Sequence, residues 1–87
     1  MLDIFIIDAD SMAIISSPKI KILKELEKGN FHGYELSRRL NKPLSSMYEH
    51  LGELLQAGLI NYKLEGRRKV YYLTEKGKML LKAVDTD

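Results

Sequence analysis

Leu44, Met47, Leu51, Leu54 and Leu55 recur at spacings of three and four residues between Pro43 and the stop at Ala57-Gly58. That period puts them on one stripe of an α-helix over about 44–57 and leaves a polar face opposite. Immediately upstream, Tyr34-Glu35-Leu36-Ser37-Arg38-Arg39-Leu40 carries Leu36 and Leu40 four residues apart, the mark of a brief helix, before Asn41-Lys42-Pro43 interrupts it. Two short helices therefore meet at a three-residue turn, and the rest of the chain must complete their core. Eighty-seven residues permit one core only, because a chain this short buries about two-thirds of its unfolded surface.

The remaining elements follow from similar punctuation. Ser16-Ser17-Pro18 starts a helix over 18–28, with Ser17 as N-cap and Pro18 at the first helical position. Ile22, Leu23 and Leu26 form its apolar stripe with Ile20 on the flank. Lys21, Lys24, Glu25 and Lys28 are assigned to water, and Gly29-Asn30 ends it. Asn30-Phe31-His32 is short and extended in character, and Gly33 breaks it. Ile60-Asn61-Tyr62-Lys63-Leu64 alternates with period two, Glu65-Gly66-Arg67-Arg68 reads as a turn, and Lys69-Val70-Tyr71-Tyr72-Leu73 is rich in strand formers. Together they predict a hairpin. Thr74 opens a last helix holding Met79, Leu80, Leu81 and Val84, weakened by Gly77. Residues 2–7 fit a short strand or the start of a helix running on to Ile15, and Asp10 or Ser11 would cap a short helix to Ile15. The fold class is α+β, mostly helical with a small antiparallel hairpin. Residues 1–16 form an apolar N-terminal segment and 17–84 the domain.

A content of 45% hydrophobic and 30% charged residues is that of a globular chain, with no apolar run long enough to span a bilayer. The absence of cysteine excludes a disulfide framework, a thiolate zinc site and a thiol switch. No basic leader with an apolar region and cleavage site opens the chain, so a cytoplasmic location is expected. The formal charge of +2 hides a division. All 14 Lys and Arg lie between Lys19 and Lys82 with seven Glu, a net +7, while Asp3, Asp8, Asp10, Asp85 and Asp87 offset it from the ends.

Helix, helix, short turn, helix, hairpin and helix is the order of a winged helix-turn-helix. The chain resembles transcription regulators of the PadR, MarR and ArsR kind, prokaryotic and of archaeal type. The resemblance lies in His32-Gly33-Tyr34-Glu35-Leu36, in Met47-Tyr48-Glu49-His50-Leu51 with Leu54-Leu55-Gln56-Ala57-Gly58-Leu59-Ile60, and in Val70-Tyr71-Tyr72-Leu73-Thr74-Glu75-Lys76-Gly77. It covers about residues 17–81. It implies a sequence-specific regulator of double-stranded DNA, with the helix over about 44–57 in the major groove and the hairpin over about 60–73 as a wing on the minor groove or backbone. The alternative is a winged-helix module that binds protein or RNA in a larger assembly.

Residue chemistry supplies candidates for each contact. Leu44, Met47, Leu51 and Leu54 would pack inward, which leaves Ser45, Ser46, Tyr48 and Glu49 at the end presented to base edges. Ser reaches donors, acceptors or phosphate, Tyr donates to phosphate or packs on a thymine methyl, and Glu accepts from cytosine N4. Glu49 could instead pair with Arg38, Arg39 or Lys42, and Ser45 and Ser46 could instead cap the first turn. In the wing, Lys63, Arg67, Arg68 and Lys69 surround Gly66 where there is no core to bury. Arg gains there from a narrow minor groove and both cations gain from counterion release, although a hydrated turn would look alike. Arg38, Arg39 and Lys42 are backbone-contact candidates, or solubilising surface.

His32 and His50 have no cysteine beside them, so no metal is expected and each is assigned a structural hydrogen bond. Tyr34, Tyr62, Tyr71 and Tyr72 are assigned to packing. No phosphate loop, metal-ligand spacing or nucleophile elbow points to catalysis, and no cofactor is implied. Leu2, Ile4, Phe5, Ile6 and Ile7, with Met79, Leu80 and Val84, exceed the needs of so small a core and predict a homodimer through the termini.

Overall fold

The computed structural model describes residues 4–8 and 13–84. The elements run β1 (Ile4–Asp8), β2 (Ala13–Ser16), α1 (Ser17–Lys28), β3 (Phe31–His32), α2 (Gly33–Leu40), α3 (Leu44–Gln56), β4 (Ile60–Glu65), β5 (Arg68–Leu73) and α4 (Glu75–Val84). Every helix predicted from Ser17 onward is present within a residue or two of its expected bounds, because Pro18, Gly29, Pro43 and Gly58 punctuate the sequence strongly. Asn41 closes α2 in the left-handed conformation at φ 53°, and Lys42 donates its amide to the Ser37 carbonyl at 2.9 Å. This backbone lock turns α2 sharply into α3.

Three strands form one antiparallel sheet in the order β3-β5-β4. The extended Phe31-His32 pair docks on β5, with Phe31 opposite Tyr71 and His32 opposite Val70. In the hairpin, Ile60 pairs with Leu73, Tyr62 with Tyr71 and Leu64 with Lys69, so one face carries the core at its base and Lys69 toward its tip, while Lys63 and Arg68 fall on the other face. The N-terminal segment pairs β1 with β2, from Ile4 opposite Ser16 to Asp8 opposite Ala13. The strand reading of residues 4–7 therefore holds and the helix through Ile15 does not form. Two β-branched stretches close enough to pair satisfy their backbone in a ladder instead. The proposed caps Asp10 and Ser11 lie outside the described residues.

The core gathers Ile20, Ile22, Leu23 and Leu26 of α1 with Leu36, Met47, Leu51, Leu54, Leu59, Ile60, Tyr71, Leu73, Leu80 and Leu81. Two sequence assignments fail here. Leu44 is exposed rather than inward, since the first residue of α3 overhangs the packed stripe. Glu25 is only 7% exposed instead of facing water. It accepts from Arg39 Nε at 3.1 Å and from Lys28, so α1 and α2 are tied through a nearly dry carboxylate. Burial pushes that carboxyl up, but the hydrogen bonds from Lys28 and Arg39 and their charges outweigh it and hold it below the ordinary range.

Gly77 is not a weak point but a requirement. A Cβ at that position would stand 2.1 Å from the Leu59 carbonyl oxygen, so α4 can cross the start of β4 only with a bare α-carbon. Thr74 caps α4 by accepting from the Gly77 amide at 3.2 Å and donates to the Gly58 carbonyl at 2.6 Å. Among the described residues no helix is long and apolar enough to cross a membrane.

Candidate nucleic-acid interface

The exposed end of α3 is built on an open helix start. Pro43 holds the N-cap position and makes no side-chain cap. Among the described residues the Ser45 and Ser46 hydroxyls make no hydrogen bond, so neither serves as the cap considered from sequence. Their hydroxyls and the first-turn amides stay available to a ligand. Tyr48 is 50% exposed, and its ring lies against Gly33, where a Cβ would be 2.7 Å from Cε1. Glycine at the head of α2 thus gives the Tyr48 ring its seat. Glu49 is exposed and forms no ion pair among the described residues; the suggested pairing with Arg38, Arg39 or Lys42 does not occur.

The wing presents Lys63, Arg67, Arg68 and Lys69 to solvent around a turn in which Gly66 takes φ +62°. None of the four has a carboxylate partner among the described residues. Lys69 Nζ sits 4.7 Å from the Tyr62 ring centroid and Lys63 Nζ 5.8 Å from that of Tyr72. The rings steady the lysine stems without neutralising them.

The three backbone candidates separate. Arg38 is exposed and donates through Nη1 to the Tyr34 hydroxyl at 3.1 Å. Lys42, half-buried in the turn, forms no ion pair among the described residues. Arg39 is committed inward: Nη2 lies 3.0 Å from Glu25 Oε1, and the guanidinium sits 4.2 Å from the Phe31 ring centroid. Because Glu25 is buried, its charge needs a partner, and Arg39 on the facing helix supplies it.

A cleft of about 410 Å³ opens between α3 and the wing, lined by His32, Tyr34, Tyr48, Arg67, Arg68, Lys69 and Tyr71. Among the described residues no acidic side chain lines it. Burial holds the Tyr71 phenol above its ordinary value, with Tyr48 and Tyr62 adding to the shift, so Tyr71 offers a neutral hydroxyl at neutral pH. Tyr34, assigned to packing, is instead 53% exposed at the rim. His32 was read as structural and does make hydrogen bonds, but it also reaches the wing: Arg68 Nη1 lies 3.1 Å from its Nε2. The spacing His32-x-x-Glu35 is that of a capping box, a signal that could have placed His32 at the head of α2. His50 departs from expectation, since its buried Nδ1 has no hydrogen-bond partner among the described residues. Among the described residues no group of three or more His, Asp or Glu could hold a metal ion.

The dimer candidates are split as well. Met79 is 68% exposed, whereas Leu80 is in the core and Val84 packs against it. Leu80 is thereby removed from any intermolecular surface, because consecutive helical residues point about 100° apart and 79 and 80 cannot share a face. Leu2 lies outside the described residues, as do the side chains of Ile4, Phe5, Ile6 and Ile7.

Residues 16–62, more than half of the chain, match the family model described as bacterial regulatory protein, arsR family. No curated protein matches. Solved structures with the same fold include ZitR of Lactococcus lactis, 21% identical over 83% of this chain and 51% of that one, with a TM-score of 0.77. MarR of E. coli in its apo form is 19% identical over 79% and 54%, with a TM-score of 0.76. A MepR mutant of S. aureus bound to an oligodeoxyribonucleotide is 21% identical over 79% and 54%, with a TM-score of 0.75. The chain thus spans about half the length of the solved chains that it matches.

Proposed function

Because the chain belongs to the arsR family of bacterial regulatory proteins, we propose that it is a transcription regulator that reads double-stranded DNA, with α3 in the major groove and the β4-β5 wing on the adjacent minor groove. A helix and a hairpin in neighbouring grooves straddle one sugar-phosphate strand, and the cleft between α3 and the wing is where that strand runs. The observation that carries the reading is the lining of this cleft: three cations, three tyrosines and a histidine, with no carboxylate among the described residues. Arg67, Arg68, Lys69 and Lys63 serve the backbone or a narrow minor groove. Ser45, Ser46, Tyr48 and Glu49 face the bases, while Arg38 and Lys42 touch phosphate at the flank. The oligodeoxyribonucleotide on the MepR mutant of like fold supports the same partner class.

Fluorescence anisotropy with a labelled duplex tests this directly. Binding should weaken steeply with salt, with a log–log slope of roughly −3.5 to −5.5 if four to six cations meet phosphates. Absence of binding at low salt, or affinity indifferent to salt, would refute it. Selection from a random duplex pool supplies the operator.

The reading includes a homodimer, supported by the exposed Met79 on α4, which packs beside β1 of the apolar N-terminal hairpin. Met79→Lys should lower the sedimentation coefficient at a fixed concentration. An unchanged value for both proteins would place the contact elsewhere.

A further inference from the structure

We propose that His32 is a positioning residue that couples the wing to the head of α2, holding either the α2 cap or Arg68 but never both. The side chain is the N-cap of α2, a position more often filled by Ser, Thr, Asp or Asn. Its Nδ1 accepts from the Glu35 amide at 3.3 Å, and the Glu35 carboxylate accepts from the His32 amide at 3.1 Å. On the other side of the ring, Arg68 Nη1 approaches Nε2 at 3.1 Å. Both approaches bring an N–H toward a ring nitrogen. A neutral imidazole has one lone-pair nitrogen and one N–H, so only one can be a hydrogen bond at a time.

The two tautomers have different consequences. With the proton on Nε2, the Glu35 amide is capped, Nε2–H faces Glu35 Oε1 at 3.3 Å, and Arg68 is turned away. With the proton on Nδ1, Arg68 is held and the cap is broken. A phosphate that draws Arg68 off the ring therefore completes the capping box. The head of α2 is also the seat of Tyr48, whose ring rests on Gly33 next to the cap. Arg68 at the wing and Tyr48 on α3 are thus linked through one proton position. Other groups facing the ring's surroundings are Arg67, Lys69, Lys63, Glu65 and the Tyr34, Tyr48 and Tyr71 hydroxyls.

What draws Arg68 away rests on the DNA reading above, but the competition itself is testable without DNA. The probe is the long-range proton–nitrogen NMR correlation of the two histidine rings in the full chain, at a pH above about 8, where free imidazole is neutral. His50→Gln identifies the His32 signals. The wild type should show Nδ1–H populated, and Arg68→Ala should move His32 to the Nε2–H form while His50 stays unchanged. Identical His32 ratios in the two proteins overturn the proposal. A 20-base-pair duplex added to the wild type should reproduce the shift made by Arg68→Ala. Binding without that shift overturns the coupling, whereas the Arg68→Ala shift with no duplex binding upholds the competition and refutes the DNA reading. A structural cap alone would leave the ratio unmoved by Arg68. Asparagine can cap, but its side chain ends where Nδ1 sits and falls short of the Nε2 position that Arg68 meets, so His32→Asn should tighten duplex binding about threefold, the worth of one released hydrogen bond. Weaker binding counts against the proposal.

Discussion

Arg39 on α2 and Arg68 at the start of β5 both lie beside the three-stranded sheet, yet their surroundings differ in kind. Arg39 reaches back to Glu25, with Nη2 3.0 Å from Oε1, and lies over Phe31. Among the described residues, Arg68 has a histidine nitrogen at 3.1 Å and no carboxylate partner. The same contrast separates the two regions they belong to. In the helical framework, Lys19 bridges α1 to Glu53 of α3 at 2.6 Å, and Lys76 donates to the Ala57 carbonyl at 2.8 Å. In the wing, Lys63 and Lys69 rest on tyrosine rings that leave their charge intact. What neutralises a cation, rather than how many there are, decides whether it can serve a polyanion. Framework changes should therefore move stability and leave affinity alone, and wing changes should do the reverse.

The largest expected effect is Gly77→Ala. Alanine gains helix propensity of about 1 kcal/mol, but its Cβ meets the Leu59 carbonyl at 2.1 Å, a backbone atom that cannot move aside. Overpacking should leave a net loss of about 2–3 kcal/mol, seen as a fall in Tm of roughly 10–20 °C by calorimetry. A Tm unchanged or raised would mean that α4 does not cross β4 so closely.

Second comes the pair Arg67→Ala and Arg68→Ala. Removing both should weaken duplex binding about tenfold to a hundredfold at moderate salt and flatten the salt slope by roughly 2. Stability should stay within about 0.5 kcal/mol of wild type, a Tm change of no more than about 2–4 °C, as for other exposed substitutions. If Tm falls while the slope is kept, the division between wing and framework fails.

Glu25→Gln probes the framework in return. A buried pair costs several kcal/mol to break, but Arg39 stays 42% exposed and keeps its hydration, so about 1–2 kcal/mol is expected. The sign with pH follows from the lowered carboxyl. Its stabilisation is complete above the ordinary value of 4.5 and is lost as the pH falls through the lower folded value. The Tm gap between wild type and variant should thus be full near neutrality and close progressively as the pH falls below 4.5. A gap independent of pH would remove the charge from the account.

Much of this architecture was legible because it depends on local signals. Pro43, Gly58 and the 44-47-51-54 spacing delimit α3, and alternation with Gly66 at the tip delimits the wing. What escaped depends on which elements meet. Glu25 stands three residues from Ile22 and one from Leu26, so its place on the apolar side was available, but nothing local reveals that Arg39 lies across from it. Gly77 carries a helix penalty that any propensity scale records, whereas the Leu59 carbonyl that demands it is a long-range neighbour. Met79, Leu80 and Leu81 look equally apolar, and only the docking of α4 decides which of them is left outside. At the candidate site the wing cations were read from position alone. The cleft needed the tertiary meeting of His32, Tyr34 and Tyr48 with the wing.

The smallest effect gives the cleanest test of that division, because it removes one lysine from each region by an identical change. Lys76→Met deletes a donor at the C-terminal end of α3, where the Ala57 carbonyl at 2.8 Å would fall back on water. The loss should be about 0.5 kcal/mol of stability, with duplex affinity and salt slope unaltered. Lys63→Met keeps an apolar stem over Tyr72 and deletes only the ammonium, so stability should hold while the salt slope falls by about 1. Both variants reduce the net charge of the chain equally. A protein that attracts DNA through its total charge would show two equal losses of affinity, and one that seats a phosphate strand at the wing would show a loss in Lys63→Met alone.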